Sequence, residues 1–183
     1  MVRRLWHLGL LYRLYPASSR LPEYRLALEA AGRYGCRRVV DVGAGRCNLG
    51  RLLLREGLAD LYLGVDLLDV FSLGDSRALC VQADARSPPF RGRFDCGFFV
   101  NSLFYVGLEA LREYSRLADV VFITDLEPTP RHPLNLIGDL AEGRIRLTYR
   151  ELGEALMSMG LNVLESRGGA QYYYVASAGP RAY

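Results

Sequence analysis

The sequence predicts a doubly wound α/β fold: a mostly parallel seven-stranded sheet with an antiparallel last strand and helices on both faces. Three observations lead there. Short apolar runs, each closed by a polar residue, recur between helix-like segments, the pattern of parallel strands covered on both faces. The first of them, Val39-Val40-Asp41-Val42, runs directly into Gly43-Ala44-Gly45 and then a helix with Leu49, Leu52 and Leu53 on one face. In the last third, two strand-like runs flank Arg167-Gly168-Gly169-Ala170, a hairpin signal that makes them antiparallel. A chain of 183 residues fits one domain with a substantial core. Residues 1–35 are expected as an N-terminal helical cap and residues 36–177 as the core of that single domain (1–183).

The elements follow in order. Residues 3–14 read as an amphipathic helix; Arg13 interrupts the apolar run and Pro16-Ala17-Ser18-Ser19 makes a poor signal-cleavage site. No apolar stretch reaches the ~20 residues of a transmembrane helix. Packing on the domain explains this segment most simply; contact with a membrane surface through Trp6 and the arginines is the alternative. A second helix starts near Pro22, with Tyr24, Ala27, Leu28 and Ala31 on one face and Gly35 to close it. After strand 1 and the glycine turn, the next helix ends near Gly57. Strands are expected at Leu61–Val65, Ala78–Val81, Phe94–Val100 and Val120–Ile123, with a helix after Gly107 burying Leu108, Leu111 and Ala118. Thr148 and Glu151 form a capping box for a helix whose Leu152, Ala155, Leu156 and Met159 share a face. Strands Asn162–Ser166 and Gln171–Ser177 finish the chain.

Composition excludes several chemistries. All 23 basic side chains are arginine, so no catalytic lysine or Schiff base is available. The absence of lysine points to a GC-rich or thermophilic source. A net charge of +3 does not by itself indicate nucleic acid. Cys36, Cys47, Cys80 and Cys96 form no C-x-x-C pair, and His7 and His132 are the only histidines, so no metal site is expected. The cysteines are expected to be reduced, buried and structural, which implies a cytoplasmic setting.

In an open α/β sheet, ligands bind outside the carboxyl ends of the strands, where strand order reverses. Asp41, Asp66, Asp84, Asn101 and Asp125 terminate the five successive apolar runs. Single acids there are usually caps; five polar ends together argue for a polar crevice. Gly43 and Gly45 tolerate positive φ and allow close backbone approach, and the helix that follows offers free N–H groups to a nucleotide-like or anionic ligand. A dinucleotide fingerprint fails, because Asn48 stands where its last glycine belongs. A P-loop is impossible without lysine.

Asp41-Val42-Gly43-Ala44-Gly45 after a strand, Asp66 after strand 2, and Ala83-Asp84-Ala85-Arg86-Ser87-Pro88-Pro89-Phe90 before Phe94-Asp95 resemble the class I S-adenosylmethionine-dependent methyltransferases, in particular their small-molecule branch. The resemblance spans about residues 36–177. It implies that the seventh strand inserts between strands five and six, and that S-adenosyl-L-methionine is the cofactor. It further implies that Gly43, Ala44 and Gly45 pass beneath the methionine and ribose, with Asp41 ordering the turn. Asp66 would accept from the ribose hydroxyls, and Leu67 would lie on the adenine. Asp84 and the Ala85 N–H would take the adenine edge, while Asn101, Ser102 and Leu103 would border the methionine and methyl group. Cys47 replaces the family's usual third glycine.

Methyl transfer draws mainly on alignment and exclusion of water, because the sulfonium is already activated. No residue is singled out as catalytic. Tyr105, Asp125, Glu127 and His132 are candidate bases or pocket residues; His132 lies in a proline-rich loop and reads equally well as an exposed histidine. In such enzymes N-terminal helices contribute to the acceptor pocket, which makes Tyr12, Tyr15, Arg20 and Tyr24 wall candidates, although aromatics at helical spacing usually pack the core. The expected function is methyl transfer to a small or lipid-like acceptor by a monomer or homodimer. The alternatives are a methyltransferase acting on RNA or protein, using arginine pairs at 37–38, 91/93 and 144/146, or a non-catalytic S-adenosylmethionine-binding regulatory protein.

Overall fold

The computed structural model describes residues 21–69, 74–128 and 146–179. The expected helix over 3–14, together with Trp6, His7, Tyr12, Tyr15, Arg20, His132 and Arg144, lies outside the described residues. Helix α1 (Leu21–Tyr34) leads into β1 (Arg38–Val42) and α2 (Asn48–Arg55). Strands β2 (Leu61–Asp66), β3 (Ala78–Gln82) and β4 (Phe94–Val100) follow, then α3 (Leu103–Leu117) and β5 (Ala118–Leu126). Helix α4 (Tyr149–Ser158), β6 (Asn162–Arg167) and β7 (Gln171–Ser177) complete it.

The seven strands form one sheet in the order β3-β2-β1-β4-β5-β7-β6. β1 to β5 pair in parallel, whereas β7 is antiparallel to both β5 and β6. The late hairpin places the last strand inside the sheet, between β5 and β6, as the family resemblance implies. Strand order reverses between β1 and β4, and this point is the natural ligand crevice.

Two apolar layers sandwich the sheet. On one side α1 and α2 bury Tyr24, Ala27, Ala31, Leu49 and Leu53 against Val39, Cys96, Phe98 and Phe122. On the other side α3 and α4 bury Leu111, Tyr114, Leu152 and Leu156 against Val40, Phe99, Ile123 and Tyr174. The capping box forms as expected: the Glu151 N–H donates to the Thr148 hydroxyl, and the Thr148 N–H donates to Glu151 Oε2 at 2.8 Å. Helix α3 departs from expectation. One helical turn precedes Gly107, whose φ of 82° breaks the helix before the main part begins, and Ala118 opens β5 instead of closing the helix.

The cysteines require a correction. None is free: Cys36 joins Cys96 across β1 and β4, and Cys47 joins Cys80. Their Cα separations are 5.4 and 6.9 Å, within and at the outer edge of what a disulfide spans. The partners lie 60 and 33 residues apart in sequence: Cys36, just before β1, meets Cys96 of the adjacent β4, whereas Cys47, at the start of α2, reaches Cys80 of β3 on the far side of β2. Gly64 of β2 makes the second bridge possible. A Cβ there would sit 2.6 Å from the Cys47 sulfur, so the sulfur crosses over β2 through the space the glycine leaves. The cytoplasmic inference drawn from reduced cysteines thereby loses its premise. Among the described residues, no helix is long and apolar enough to cross a membrane.

Candidate functional site at the β1–β4 switch point

The turn after β1 is held from below by β2. The Gly43 and Ala44 N–H groups both donate to the Val65 carbonyl, at 2.8 and 3.0 Å. Gly43 and Gly45 have φ of 73° and 55°, and Cys47 at φ 55° is the left-handed N-cap of α2. Glycine at 43 has a reason inside the protein as well: a Cβ there would lie 2.5 Å from Ser102 Cβ, so Gly43 permits a close approach to the residues that follow β4. The Ser102 hydroxyl donates to the Val42 carbonyl and fastens the two strand ends together.

Asp66 braces the same turn. Its Oδ2 accepts from the Gly45 N–H at 2.8 Å and its Oδ1 from the Leu68 N–H at 2.9 Å. A carboxylate oxygen can accept two hydrogen bonds, so a backbone bond does not by itself exhaust either one. Leu67 beside it is 47% exposed, an apolar ledge of the kind a flat base covers. Asp84 is less available than its place at the end of β3 implies. Arg86 grips it with two guanidinium bonds, at 3.0 and 2.6 Å, and its own N–H adds a third. The hydrogen bonds from Arg86 hold the Asp84 carboxyl below its usual range.

Asp41, which the resemblance makes an organiser of the turn, is 3% exposed and accepts from the Tyr62 hydroxyl at 2.6 Å, which ties the end of β1 to β2. Burial, reinforced by the Asp41 charge, pushes the Tyr62 hydroxyl well above its ordinary value, so it remains a neutral donor. Gly50 of α2 accommodates this pair, since a Cβ there would meet the Tyr62 ring at 2.4 Å.

A cavity of about 460 Å³ opens beside the crevice, between the start of α3 and the end of β5. Phe104, Tyr105, Arg86, Asp125, Leu147 and Tyr172 line it. The Phe104 and Tyr105 rings lie 3.9 Å apart, and the Arg146 guanidinium stands 3.7 Å over the Phe104 ring. Of the sequence candidates, Tyr105 belongs here, 48% exposed. Asp125 is present but committed: Arg146 Nη1 bonds its Oδ1 at 2.8 Å, and the Leu126 N–H adds to it. Glu127 faces α4, where its Oε2 accepts from the Tyr149 N–H at 2.8 Å. Tyr24 sits in the apolar layer under α1 and not on the cavity wall.

Three residues take parts here that were not foreseen. Phe104 and Arg146 pair across a gap of more than forty residues, which no local pattern signals. Glu23 lies in the first turn of α1, where an acid complements the helix dipole. It is 7% exposed and its Oε1 accepts from Asn101 Nδ2 at 3.0 Å, at the end of β4.

The sheet order, with its antiparallel seventh strand and its glycine turn at the switch point, defines the fold of the class I S-adenosylmethionine-dependent methyltransferases. Solved structures agree. A chain of the Haloferax volcanii complex between the Trm112 methyltransferase activator and a candidate methyltransferase superposes with a TM-score of 0.71 at 16% identity, covering 83% of this chain and 88% of that one. The Burkholderia thailandensis 1,6-didemethyltoxoflavin-N1-methyltransferase, with bound 1,6-didemethyltoxoflavin and S-adenosylhomocysteine, gives 0.61 at 18% identity over 86% and 77%. The Synechocystis magnesium protoporphyrin IX methyltransferase with bound SAM gives 0.59 at 14% over 83% and 74%. No protein-family model and no curated protein sequence matches the chain.

Proposed function

We propose that the protein is an S-adenosylmethionine-dependent methyltransferase acting on a small or lipid-like acceptor. The observation that carries this reading is the brace at the switch point. Asp66 holds the Gly45 N–H and the Leu68 N–H together, with exposed Leu67 between the two loops. That arrangement matches a nucleoside: hydroxyl acceptors, an apolar ledge, and glycine backbone at the sulfur end. Gly43, Ala44, Gly45, Asp66, Leu67, Asp84, Ala85, Asn101, Ser102 and Leu103 would hold the cofactor, which supplies an activated methyl group.

The chain's own contribution is positioning. The 460 Å³ cavity is the size of a small-molecule site, and its Phe104–Tyr105 wall suits a flat or apolar acceptor held beside the methyl group. Asp125 is tied to Arg146, and Glu127 is bonded to α4 and does not line the cavity. Tyr105, which lines it, would orient the acceptor's nucleophile by a hydrogen bond. Arg37 and Arg38 lie at the start of β1 and Arg93 just before β4, at the sheet edge opposite the crevice. Arg37 and Arg93 are moreover paired with Asp60 and Asp119. For these three arginines the placement disfavours contact with an RNA acceptor, while Arg146 stands at the cavity and is paired with Asp125.

Incubating the protein with methyl-labelled cofactor and fractionated cell extract tests the acceptor class. Label is expected in the small-molecule or lipid fraction. Label confined to RNA or protein would contradict that part of the reading.

A further inference from the structure

Two buried acceptors at the switch point have no hydrogen-bond partner among the described residues: Glu23 Oε2 and Asn101 Oδ1. The two side chains touch, through the hydrogen bond from Asn101 Nδ2 to Glu23 Oε1. Glu23 makes no ion pair among the described residues, so a carboxylate that is nine-tenths buried faces one neutral donor. Burial of an uncompensated charge is strongly unfavourable, and such groups persist in proteins where a ligand or an ion completes them.

The place is as specific as the chemistry. Asn101 follows β4 at φ 50°, a left-handed conformation that asparagine tolerates better than most residues. Its neighbour Ser102 abuts Gly43 of the turn after β1. Helix α1 runs antiparallel to the strands, so its first turn reaches the carboxyl edge of the sheet and delivers Glu23 beside Asn101. Both orphaned atoms are acceptors, which excludes phosphate, carboxylate or a purely apolar group as the missing partner. A protonated amino group carries three donors and a positive charge, and it satisfies both atoms while neutralising Glu23.

We infer that Glu23 and Asn101 form a seat for a ligand ammonium group. This deepens the proposed function and rests on it in one respect: within that reading, the first source of such a group is the amino-acid end of the cofactor. An amine on the acceptor is the same chemistry from the second source. Glu23 is a binding residue from the N-terminal helix, outside the glycine turn and the strand ends that the sequence singled out.

The test is calorimetric, on the full chain. S-adenosylhomocysteine and 5′-methylthioadenosine share the nucleoside and the sulfur, and only the first carries the ammonium. For Glu23→Gln, which keeps the shape and removes the charge, S-adenosylhomocysteine affinity should fall at least tenfold while that of 5′-methylthioadenosine stays within twofold. The melting temperature of ligand-free Glu23→Gln should be equal to or above that of the unmodified protein. In a second arm, NMR follows a titration of the S-adenosylhomocysteine-saturated protein with ethylammonium chloride. If the seat serves the acceptor, the first arm is flat and the second shows saturable shifts at Asn101 that vanish in Glu23→Gln. Equal losses for both nucleosides, or no effect of Glu23→Gln in either arm, would overturn the inference. Should neither nucleoside bind the unmodified protein, the cofactor reading itself fails, and the ethylammonium titration of the ligand-free protein then decides the seat alone.

Discussion

At the residue scale, Gly43 has a packing role that its place in the motif does not reveal. The glycine was legible as a backbone that comes close to something; that it approaches Ser102 was not, because 59 residues of chain separate them. Gly43→Ala should therefore destabilise the protein even without ligand, by roughly 2 kcal/mol from overpacking and left-handed strain. Adding Ser102→Gly should recover part of that loss, and chemical denaturation of the four-member cycle measures the coupling. Asp66→Asn tests the neighbouring brace. An amide has one acceptor oxygen, so either the Gly45 or the Leu68 N–H loses its bond; the expected cost is about 1.5–3 kcal/mol shared between stability and nucleoside affinity. An Asp66→Asn protein with unchanged melting temperature and unchanged nucleoside binding would contradict the role given to the brace.

At the scale of elements, the strands, the glycine turn, the capping box and the closing hairpin were readable because each is a local pattern. Clasps between distant elements were not. One such clasp joins the end of α1 to the sheet edge: Glu165 of β6 accepts from the Tyr173 hydroxyl at 2.6 Å and also receives Arg33 and Tyr34. The Tyr173 hydrogen bond first, then Arg33, lowers the Glu165 carboxyl below its usual value of 4.5. A depressed carboxyl stabilises the fold above its unfolded value and loses that contribution as pH falls through the folded value. Stability should accordingly decline below about pH 4.5, and Glu165→Gln should flatten that part of the profile. Thermal melts from pH 6 to pH 3 on both proteins check the sign. An identical acid dependence in the two would show that the clasp contributes nothing.

At the scale of the whole molecule, sheet order was legible once the resemblance was drawn, whereas the cysteine pairing was not. Nothing in the spacing of Cys36, Cys47, Cys80 and Cys96 marks partners that meet only across strands, and Gly64 reads as an ordinary strand glycine until the Cys47 sulfur is seen above it. Peptide mapping without reductant should recover Cys36–Cys96 and Cys47–Cys80. Reduction should then lower the melting temperature, with each bridge contributing up to about 4 kcal/mol on the chain-entropy account. Four alkylatable thiols in the unreduced, denatured protein would refute the pairing. The Cys47–Cys80 bridge also ties the cofactor-side turn to β3, so its reduction should loosen nucleoside binding as well as the fold.

The switch-point crevice as a nucleoside site is the claim on which the proposed function depends, and calorimetric titration of the unmodified protein with S-adenosylhomocysteine tests it most directly. Saturable binding with unit stoichiometry, competed by S-adenosylmethionine and weakened about tenfold by Asp66→Asn, is the expected result. No binding at millimolar ligand to a protein that melts cooperatively would contradict it.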